Sequence, residues 1–344
     1  MKHIKLTVLL LALLLVLPLA FTGCGQSDSD SAETTVSPTV TAAPEPTPET
    51  IRVAALKGPT GMGMAQLMDA AQNGTAEQNY TFTIEGAPDA VNALVIKGEV
   101  DIAAVPVNVA SVLYAKTEGA VQVAGINTKG VLYLLETGDT IQSIADLKGK
   151  TIYASGQGST PEYVLNYVLT QNGLTPGTDV TIEYLSEHAE VITALASGKA
   201  TIGMLPEPNV TSALSSNEKL RIAVDMTEAW DAVSDTTLVQ GCIIVSKAFA
   251  ETYPTAVELF LKEYVASVEF VNSKPEEASV MIEAFGIIPK AAVAQKAIPN
   301  CNICLITGDE MRSTLTALYT VLFDANPSSI GGALPDDGIY YSVQ

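Results

Sequence analysis

The chain has 344 residues, a formal net charge of −20 and only 18 lysines and arginines. This length is sufficient for two domains of ordinary size. Nucleic-acid binding requires a basic surface, so a chain this acidic excludes nucleic acid as a partner. The only histidine beyond the N-terminal segment is His188. Because zinc sites need more ligands than the chain offers, we expect no metal and no other cofactor.

The N-terminus has the pattern of a targeting segment. Two lysines precede an aliphatic run over residues 6–21, which is short for a membrane-spanning helix. Thr22-Gly23-Cys24 follows, so a cysteine stands directly after the expected cut. We predict a signal peptide over residues 1–23, with an uncleaved membrane helix as the alternative. Residues 24–50 are rich in Ser, Thr, Pro and acidic residues and are predicted to form a disordered tether.

Two segments about one hundred residues apart repeat each other. Residues 91–113 and 191–214 share Val, Ala, Leu, Gly, Ile, Pro, Asn, Ser and Leu in the same order, with one gap in each copy. A strand, a glycine-rich turn and a helix start precede each copy. The repetition indicates that one supersecondary unit was built twice. It predicts two similar α/β lobes that face each other across a ligand-binding cleft.

The elements of the first copy follow from hydrophobic periodicity and turn residues. Strands are predicted at 51–56, 80–84 and 100–105, and helices at 64–71, 90–96 and 107–114. The second copy repeats this order. Strands are predicted there at 151–154, 181–185 and 200–205, with Thr160 as the N-cap of one helix and residues 191–196 in another. Strands that alternate with helices indicate parallel βαβ units.

Two apolar segments connect the lobes, and the C-terminal third is helical. Residues 131–135 and 238–245 are predicted to be the two strands of a hinge that lets the lobes close. A long amphipathic helix is predicted at 254–271. The Thr307–Glu310 tetrapeptide is predicted to form a capping box. We expect the C-terminal helices to return to the first lobe.

Several motifs, taken in order, resemble the solute-binding proteins of bacterial ABC importers. They are Gly58-Pro59-Thr60-Gly61, the stretch 94–102 before Pro106, Asp146-Leu147-Lys148-Gly149-Lys150, Val245-Ser246-Lys247-Ala248-Phe249 and the stretch 272–278. The nearest group is that of nitrate, sulfonate, taurine and thiamine-precursor receptors. The resemblance implies an α/β, two-lobed periplasmic-binding-protein type II fold. Each lobe would be a mixed, mostly parallel sheet flanked by helices, and a two-strand hinge would join the lobes.

The same resemblance implies how the chain is organised and where it works. Residues 51–135 would form the first part of lobe 1, residues 136–237 lobe 2, and residues 238–344 the hinge return and the last helices of lobe 1. The segment before Cys24 resembles a lipobox, apart from Phe21 where an aliphatic residue is usual. It implies a lipid on Cys24 and an extracytoplasmic protein anchored to the bacterial cell membrane. The implied partners are a small solute and the permease and ATPase subunits, and a monomer is expected.

Candidate ligand-binding residues lie in the two glycine-rich turns and just beyond the strand ends, where parallel sheets form crevices. Free amides at a helix start favour anions or polar oxygens. The alternatives are a tight connection for the turns, helix capping for Asn108, Asn209 and Glu207, solvation for the lysines and core packing for Met62. The candidates are Lys57, Gly58, Pro59, Thr60, Gly61, Met62, Asn108, Lys129, Gly156, Gln157, Gly158, Ser159, Thr160, Glu207 and Asn209.

The sequence gives little support for catalysis. His188 is predicted to lie at the exposed start of a helix, and no nucleophile has an evident base. An enzyme is not expected, although pyrimidine-synthesis and menaquinone-pathway enzymes on this scaffold, or a sensory lipoprotein, stay as alternatives. Glu207 and the scarcity of arginine favour a neutral or mixed-charge organic solute, while Lys57 keeps oxyanions open. For Cys301 and Cys304, a local disulfide and two free thiols are equally open.

Overall fold

The computed structural model describes residues 46–342, which lie in one compact unit. The predicted signal peptide, Cys24 and the tether up to residue 45 lie outside the described residues. None of the helices between residues 46 and 342 has both the length and the apolar character that a bilayer crossing requires.

Strands and helices alternate through the first two thirds of the described chain. The strands are β1 (Ile51–Leu56), β2 (Tyr80–Glu85), β3 (Ile102–Pro106), β4 (Val121–Lys129), β5 (Leu132–Thr137), β6 (Thr151–Ala154), β7 (Thr181–Tyr184), β8 (Ile202–Pro206), β9 (Leu220–Asp225), β10 (Val239–Ser246) and β11 (Ile303–Ile306). The helices are α1 (Pro59–Met62), α2 (Ala65–Gln72), α3 (Pro88–Ile96), α4 (Val107–Lys116), α5 (Thr160–Gln171), α6 (His188–Ala196), α7 (Asn209–Ser216), α8 (Met226–Asp231), α9 (Lys247–Thr252), α10 (Pro254–Ser273), α11 (Pro275–Ala284), α12 (Ala291–Ala297) and α13 (Gly308–Ala325).

The strands form two mixed sheets. The six-stranded sheet has the order β11-β4-β10-β3-β1-β2, and the five-stranded sheet has the order β7-β6-β8-β5-β9. We call the first sheet with the helices packed on it lobe 1, and the second sheet with its helices lobe 2. In both lobes three strands of one repeat are parallel, and a strand from outside the repeat joins them antiparallel, β10 in lobe 1 and β5 in lobe 2. The predicted two-lobed α/β fold is confirmed.

The internal repeat is visible in the structure. The strands β3 and β8 span Ile102–Pro106 and Ile202–Pro206, and the helices α3 and α6 both end one hundred residues apart. The parallel order β2-β1-β3 in lobe 1 matches β7-β6-β8 in lobe 2. Equivalent sequence motifs therefore occupy equivalent places in the two sheets.

The strands next to this parallel core are exchanged between the lobes. The strand β5, which follows lobe 1 in sequence, pairs with β8 of lobe 2. The strand β10, which follows lobe 2, pairs with β3 of lobe 1. Each of the two predicted hinge strands therefore lies in one sheet. The chain passes between the sheets at residues 130–131 and again over residues 226–238.

The C-terminal helices α10 and α13 pack on lobe 1. The helix α10 packs on α2, where the Ser267 hydroxyl donates to Gly63 O at 2.7 Å and accepts from Leu67 N at 3.2 Å. The helix α13 packs on α4, β4 and β10 and also reaches α5 of lobe 2. A single hydrophobic cluster therefore runs through both lobes, from Leu322 on α13 to Val164 on α5.

Two local predictions about helix starts were wrong. Ser159, not Thr160, is the N-cap of α5, and Thr160 is its first helical residue. Thr307 precedes α13 without a side-chain cap, because the tetrapeptide does not close into a capping box.

The two cysteines of the Cys301–Cys304 segment are free thiols rather than a disulfide. Cys301 is buried, and its Sγ lies 4.0 Å from Met62 Sδ. Cys304 is half-buried and faces the carbonyl of Ile126. Of the two alternatives that the sequence left open, the structure therefore has the free thiols.

Candidate functional site

The starts of two helices meet where the lobes face each other. The hydroxyl of Thr160, on lobe 2, donates to Asn108 Oδ1, on lobe 1, at 2.8 Å. Asn108 Nδ2 in turn donates to the carbonyl of Ser329 at 3.2 Å. Thr160 and Asn108 are 1% and 2% exposed, so this bond is shielded from water. Two of the residues predicted from the sequence are therefore in direct contact across the cleft.

A second contact between the lobes involves Glu207. This carboxylate follows β8 and accepts from both the amide and the hydroxyl of Thr211, each at 3.0 Å. Burial raises the pKa of Glu207, while hydrogen bonds from Thr211 and from the Asn300 side chain act in the opposite direction. Asn300 ends a short helical turn, Ile298–Asn300, between α12 and β11 of lobe 1. Glu207 therefore anchors the first turn of α7 and meets lobe 1, so the capping alternative applies to this residue.

The first glycine-rich turn packs tightly against the hinge strands. Gly58 has a φ of 103°, a conformation that favours glycine, and α1 begins directly after it. The Thr60 side chain lies over Gly241 of β10, where a Cβ atom would come 2.8 Å from Thr60 Cγ2. Lys57 is exposed, whereas Met62 is completely buried. Met62 is therefore part of the core, in line with the core-packing alternative.

Two buried amide donors, one on β4 and one on β10, lack a hydrogen bond of good geometry in the described structure. Asn127 Nδ2 on β4 and Gln240 Nε2 on β10 are buried and make no hydrogen bond of good geometry. Asn127 is 0% exposed, its Oδ1 accepts from Thr128, and the similarly unbonded Tyr264 hydroxyl lies near it. Unpaired buried donors are costly and rare in native structures. Sequence inspection missed both amides, because nothing in a strand pattern shows which polar side chain lacks a partner.

The second glycine-rich turn already holds an acidic side chain. Glu162, in the first turn of α5, accepts from the amide of Gly158 at 2.5 Å. The Ser159 hydroxyl bonds back to Gly156 O at 2.5 Å, and Gln157 is exposed. The amides at this helix start favour negative charge. The chain's own carboxylate therefore takes part of the position that an anionic ligand would use.

Next to this turn lies a serine–histidine pair. Ser155 Oγ and His188 Nδ1 share a hydrogen bond of 2.5 Å between the end of β6 and the start of α6. Ser155 is 4% exposed, and burial lowers the pKa of His188. The predicted exposed position of His188 was therefore wrong. Ser155 and His188 are 33 positions apart in the chain, so sequence inspection did not pair them.

All three arginines, which lie within the described residues, are engaged away from the cleft. Arg52 pairs with Asp101 at 2.6 Å, Arg221 with Glu136 at 2.7 Å and Arg312 with Asp337 at 3.0 Å. Lys129 is exposed at the end of β4, and Asn209 is half-buried at the start of α7. Among residues 46–342 no group of three or more His, Cys, Asp or Glu side chains could hold a metal.

Comparison with known proteins supports the fold and the class of protein. Residues 120–229 match the family model described as "ABC transporter, phosphonate, periplasmic substrate-binding protein". No curated protein matches the chain. The solved structure of an ABC transporter from Parabacteroides distasonis is 27% identical, with a TM-score of 0.74, and the match covers 86% of this chain and all of that one.

Two sulfonate-binding proteins share the fold at lower identity. The periplasmic aliphatic sulphonate binding protein SsuA from Escherichia coli is 18% identical, with a TM-score of 0.71 over 87% of this chain and 94% of its own. The alkanesulfonate-binding protein SsuA from Xanthomonas axonopodis pv. citri, bound to MOPS, is 17% identical, with a TM-score of 0.64 over 86% and 96%. The resemblance drawn from the sequence is thus confirmed: residues 120–229 are similar to the periplasmic substrate-binding proteins of ABC transporters, and the chain has the fold of such proteins.

Proposed function

We propose that the protein is the extracytoplasmic solute receptor of an ABC importer. It holds a small solute between its two lobes and delivers it to the permease and ATPase subunits. The observation that carries this proposal is the buried bond between Thr160 and Asn108, because it brings the two repeated helix starts to one place. The fold and the family match point to the same activity.

The solute site, in this proposal, lies among the residues around that contact. The turn at Gly58 and Thr60, the helix starts at Asn108 and Thr160, and Asn209 form its walls. The unpaired amides of Asn127 and Gln240 supply donors at the hinge. A bound acceptor oxygen would remove the cost of leaving these donors unpaired.

The charges near the cleft favour a neutral or mixed-charge organic solute over a strong oxyanion. The arginines are all paired elsewhere, and Glu162 occupies the amide of Gly158. Lys57 and Lys129 are exposed and would act only as screened charges. A sulfonate or phosphonate would therefore lack the bidentate clamp that such groups usually receive.

We also propose that the protein is anchored to the cell membrane through a lipid on Cys24. The sequence pattern before Cys24 supports this, with a basic start, an aliphatic run and small residues at the cut. Metabolic labelling with an alkyne fatty acid, compared between wild type and Cys24→Ser, tests the anchor. Equal labelling of both proteins would refute a lipid anchor on Cys24.

A thermal-shift panel of pyrimidines, flavins, sulfonates and amines tests the solute site. The compound that raises the melting temperature most would then be titrated by calorimetry. Thr160→Ala and Asn209→Ala should each weaken its binding by about tenfold, since one net hydrogen bond contributes about 1–1.5 kcal/mol. Thr193→Ala is the matched control, because Thr193 lies on the exposed face of α6 and bonds only to Ala189 O. Unchanged affinity in both cleft variants would refute the site.

A further inference from the structure

Lobe 1 contains a cavity at the end of the sheet away from the cleft. Its volume is about 380 Å³, within the size range of small-molecule sites. The last turns of α3 and α4 flank it, and the beginning of β3 and the end of β10 form its floor. Its apolar lining consists of Val95, Ile96, Val100, Ile102, Ala103, Ala120, Val121 and Ile244.

The repeat in lobe 2 shows why this cavity exists. There, α6 and α7 pack directly against each other, whereas α3 and α4 scarcely touch. In lobe 2 the Leu195 side chain is buried and packs onto Gly203, with its Cδ1 2.9 Å from the position of a Cβ atom. The lobe 1 residues one hundred positions earlier are Val95 and Ala103, and both line the cavity. Val95 with Ala103 contains as many side-chain carbons as Leu195 with Gly203, so the cavity follows from the weak contact between α3 and α4 and not from a smaller side chain.

Two lysines stand at the mouth of the cavity. Lys97 and Lys116 line it, are exposed, and make no ion pair with any described residue. Their counterparts in the repeat are Ser197 and Asn217. Asn217 Nδ2 reaches Leu195 O at 3.5 Å and so ties α7 to α6. Because lobe 1 has lysines at these two positions, it lacks this hydrogen bond between the helices. The lysines also place two positive charges on a strongly acidic protein.

The other polar groups at the mouth are already engaged. The carbonyls of Ala93 and Val95, at the end of α3, accept from the amides of Lys97 and Gly98. These two carbonyls are therefore already hydrogen-bonded within the protein. Asp101 lines the floor, but Arg52 pairs with it at 2.6 Å. The remaining acidic residues near the helix ends are Glu99, which lies beside Arg52, and Glu118, which is exposed. The free charge that faces the apolar floor is therefore that of the two lysines.

We propose that this cavity, which we call the lobe 1 pocket, is a second binding site, for a small amphiphilic carboxylate. The apolar chain, of about six to ten carbons, lies on the aliphatic floor, and the carboxylate lies between Lys97 and Lys116. Burial of the chain supplies most of the affinity, and the lysines select an anion over a neutral head group. The site is independent of the solute cleft, because it lies at the opposite end of β3.

Calorimetric titration of the purified protein with octanoate tests the proposal. The variant Val95→Leu/Lys97→Ser/Lys116→Asn enlarges one side chain of the apolar lining and removes both charges, and it should lower octanoate affinity at least about tenfold. Lys97→Ser/Lys116→Asn alone changes only exposed residues, so it should fold normally and should weaken octanoate more than octanol. Lys199→Ser is the matched control, because Lys199 is an exposed lysine at the same end of lobe 2.

Three results would overturn the lobe 1 pocket. The first is equal octanoate affinity in wild type and in the double lysine variant. The second is octanol binding as tightly as octanoate to the wild-type protein. The third is loss of octanoate binding in Thr160→Ala, because that would place the fatty acid in the solute cleft. Retained solute binding in the triple variant is expected, since the proposed solute site shares no residue with the pocket.

Discussion

At the scale of single residues, His188 has an environment in the folded protein that its neighbours in the sequence do not predict. It stands between acidic residues in Glu187-His188-Ala189-Glu190, which predicts an exposed and readily protonated imidazole. In the folded protein it bonds to the buried Ser155, and burial lowers its pKa. The pair therefore favours the neutral imidazole.

This environment predicts a pH dependence. Because the folded pKa lies below the unfolded value of 6.5, the stability that His188 contributes is fully present above pH 6.5 and is lost as the pH falls below it. His188 is the only histidine after His3, so nuclear magnetic resonance of the protein without its first 23 residues shows one imidazole. We expect its apparent pKa to lie below 6.5 in the wild type, because burial disfavours the charged imidazolium. A value of 6.5 or above in the wild type would contradict the buried pair.

Glu207 and Met62 show how much a residue's role depends on its partners. Both were ligand candidates from their position in the chain, and both are engaged within the protein. Glu207 holds Thr211, and Met62 packs beside Cys301. A sequence shows that a carboxylate follows a strand. It does not show whether that carboxylate already accepts a hydrogen bond from a helix amide.

At the scale of elements, β10 approaches β4 closely at Gly241. Gly241 on β10 lies against Thr60 and the side chains of Asn127 and Thr128 on β4. The register of the two strands is irregular at this point. A larger side chain at residue 241 would have to displace either the first turn or the hinge.

We therefore expect Gly241→Ala to destabilise the protein by about 1–3 kcal/mol, the usual cost of overpacking. Urea unfolding followed by circular dichroism measures this change. Gly86→Ala is the control, because a methyl group at Gly86 would have no neighbouring atom within 4 Å and the residue has no positive φ. Its substitution should change stability by less than about 0.5 kcal/mol. Equal midpoints for wild type and Gly241→Ala would show that the hinge strands are not closely packed.

At the scale of the whole molecule, the exchange of β5 and β10 couples the two lobes. Each sheet contains a strand that follows the other lobe in sequence, and one hydrophobic cluster runs through both. The buried Thr160–Asn108 bond adds a direct tie between the lobes. In the described conformation the helix starts of the two lobes therefore touch.

Loss of this tie should shift the molecule towards an open conformation. A net hydrogen bond of about 1–1.5 kcal/mol changes a two-state equilibrium by about tenfold. We expect small-angle X-ray scattering of Thr160→Ala to give a radius of gyration larger by about 1 Å than that of the wild type, as hinge opening separates the lobes. Thr193→Ala should scatter like the wild type. Identical curves for all three proteins would mean that the bond does not govern closure.

The sequence by itself determined the repeat, the order of strands and helices, and the two-lobed class of fold. These follow from local periodicity and from motifs that recur at a constant spacing, as in β3 and β8. Only the tertiary structure decided which polar groups are free. Asn108 meets Thr160 and Ser329, which lie 52 and 221 residues away along the chain, and Glu162 takes an amide from its own turn. Partners so far apart leave no periodic trace, because burial and hydrogen bonding between distant segments depend on how the lobes pack.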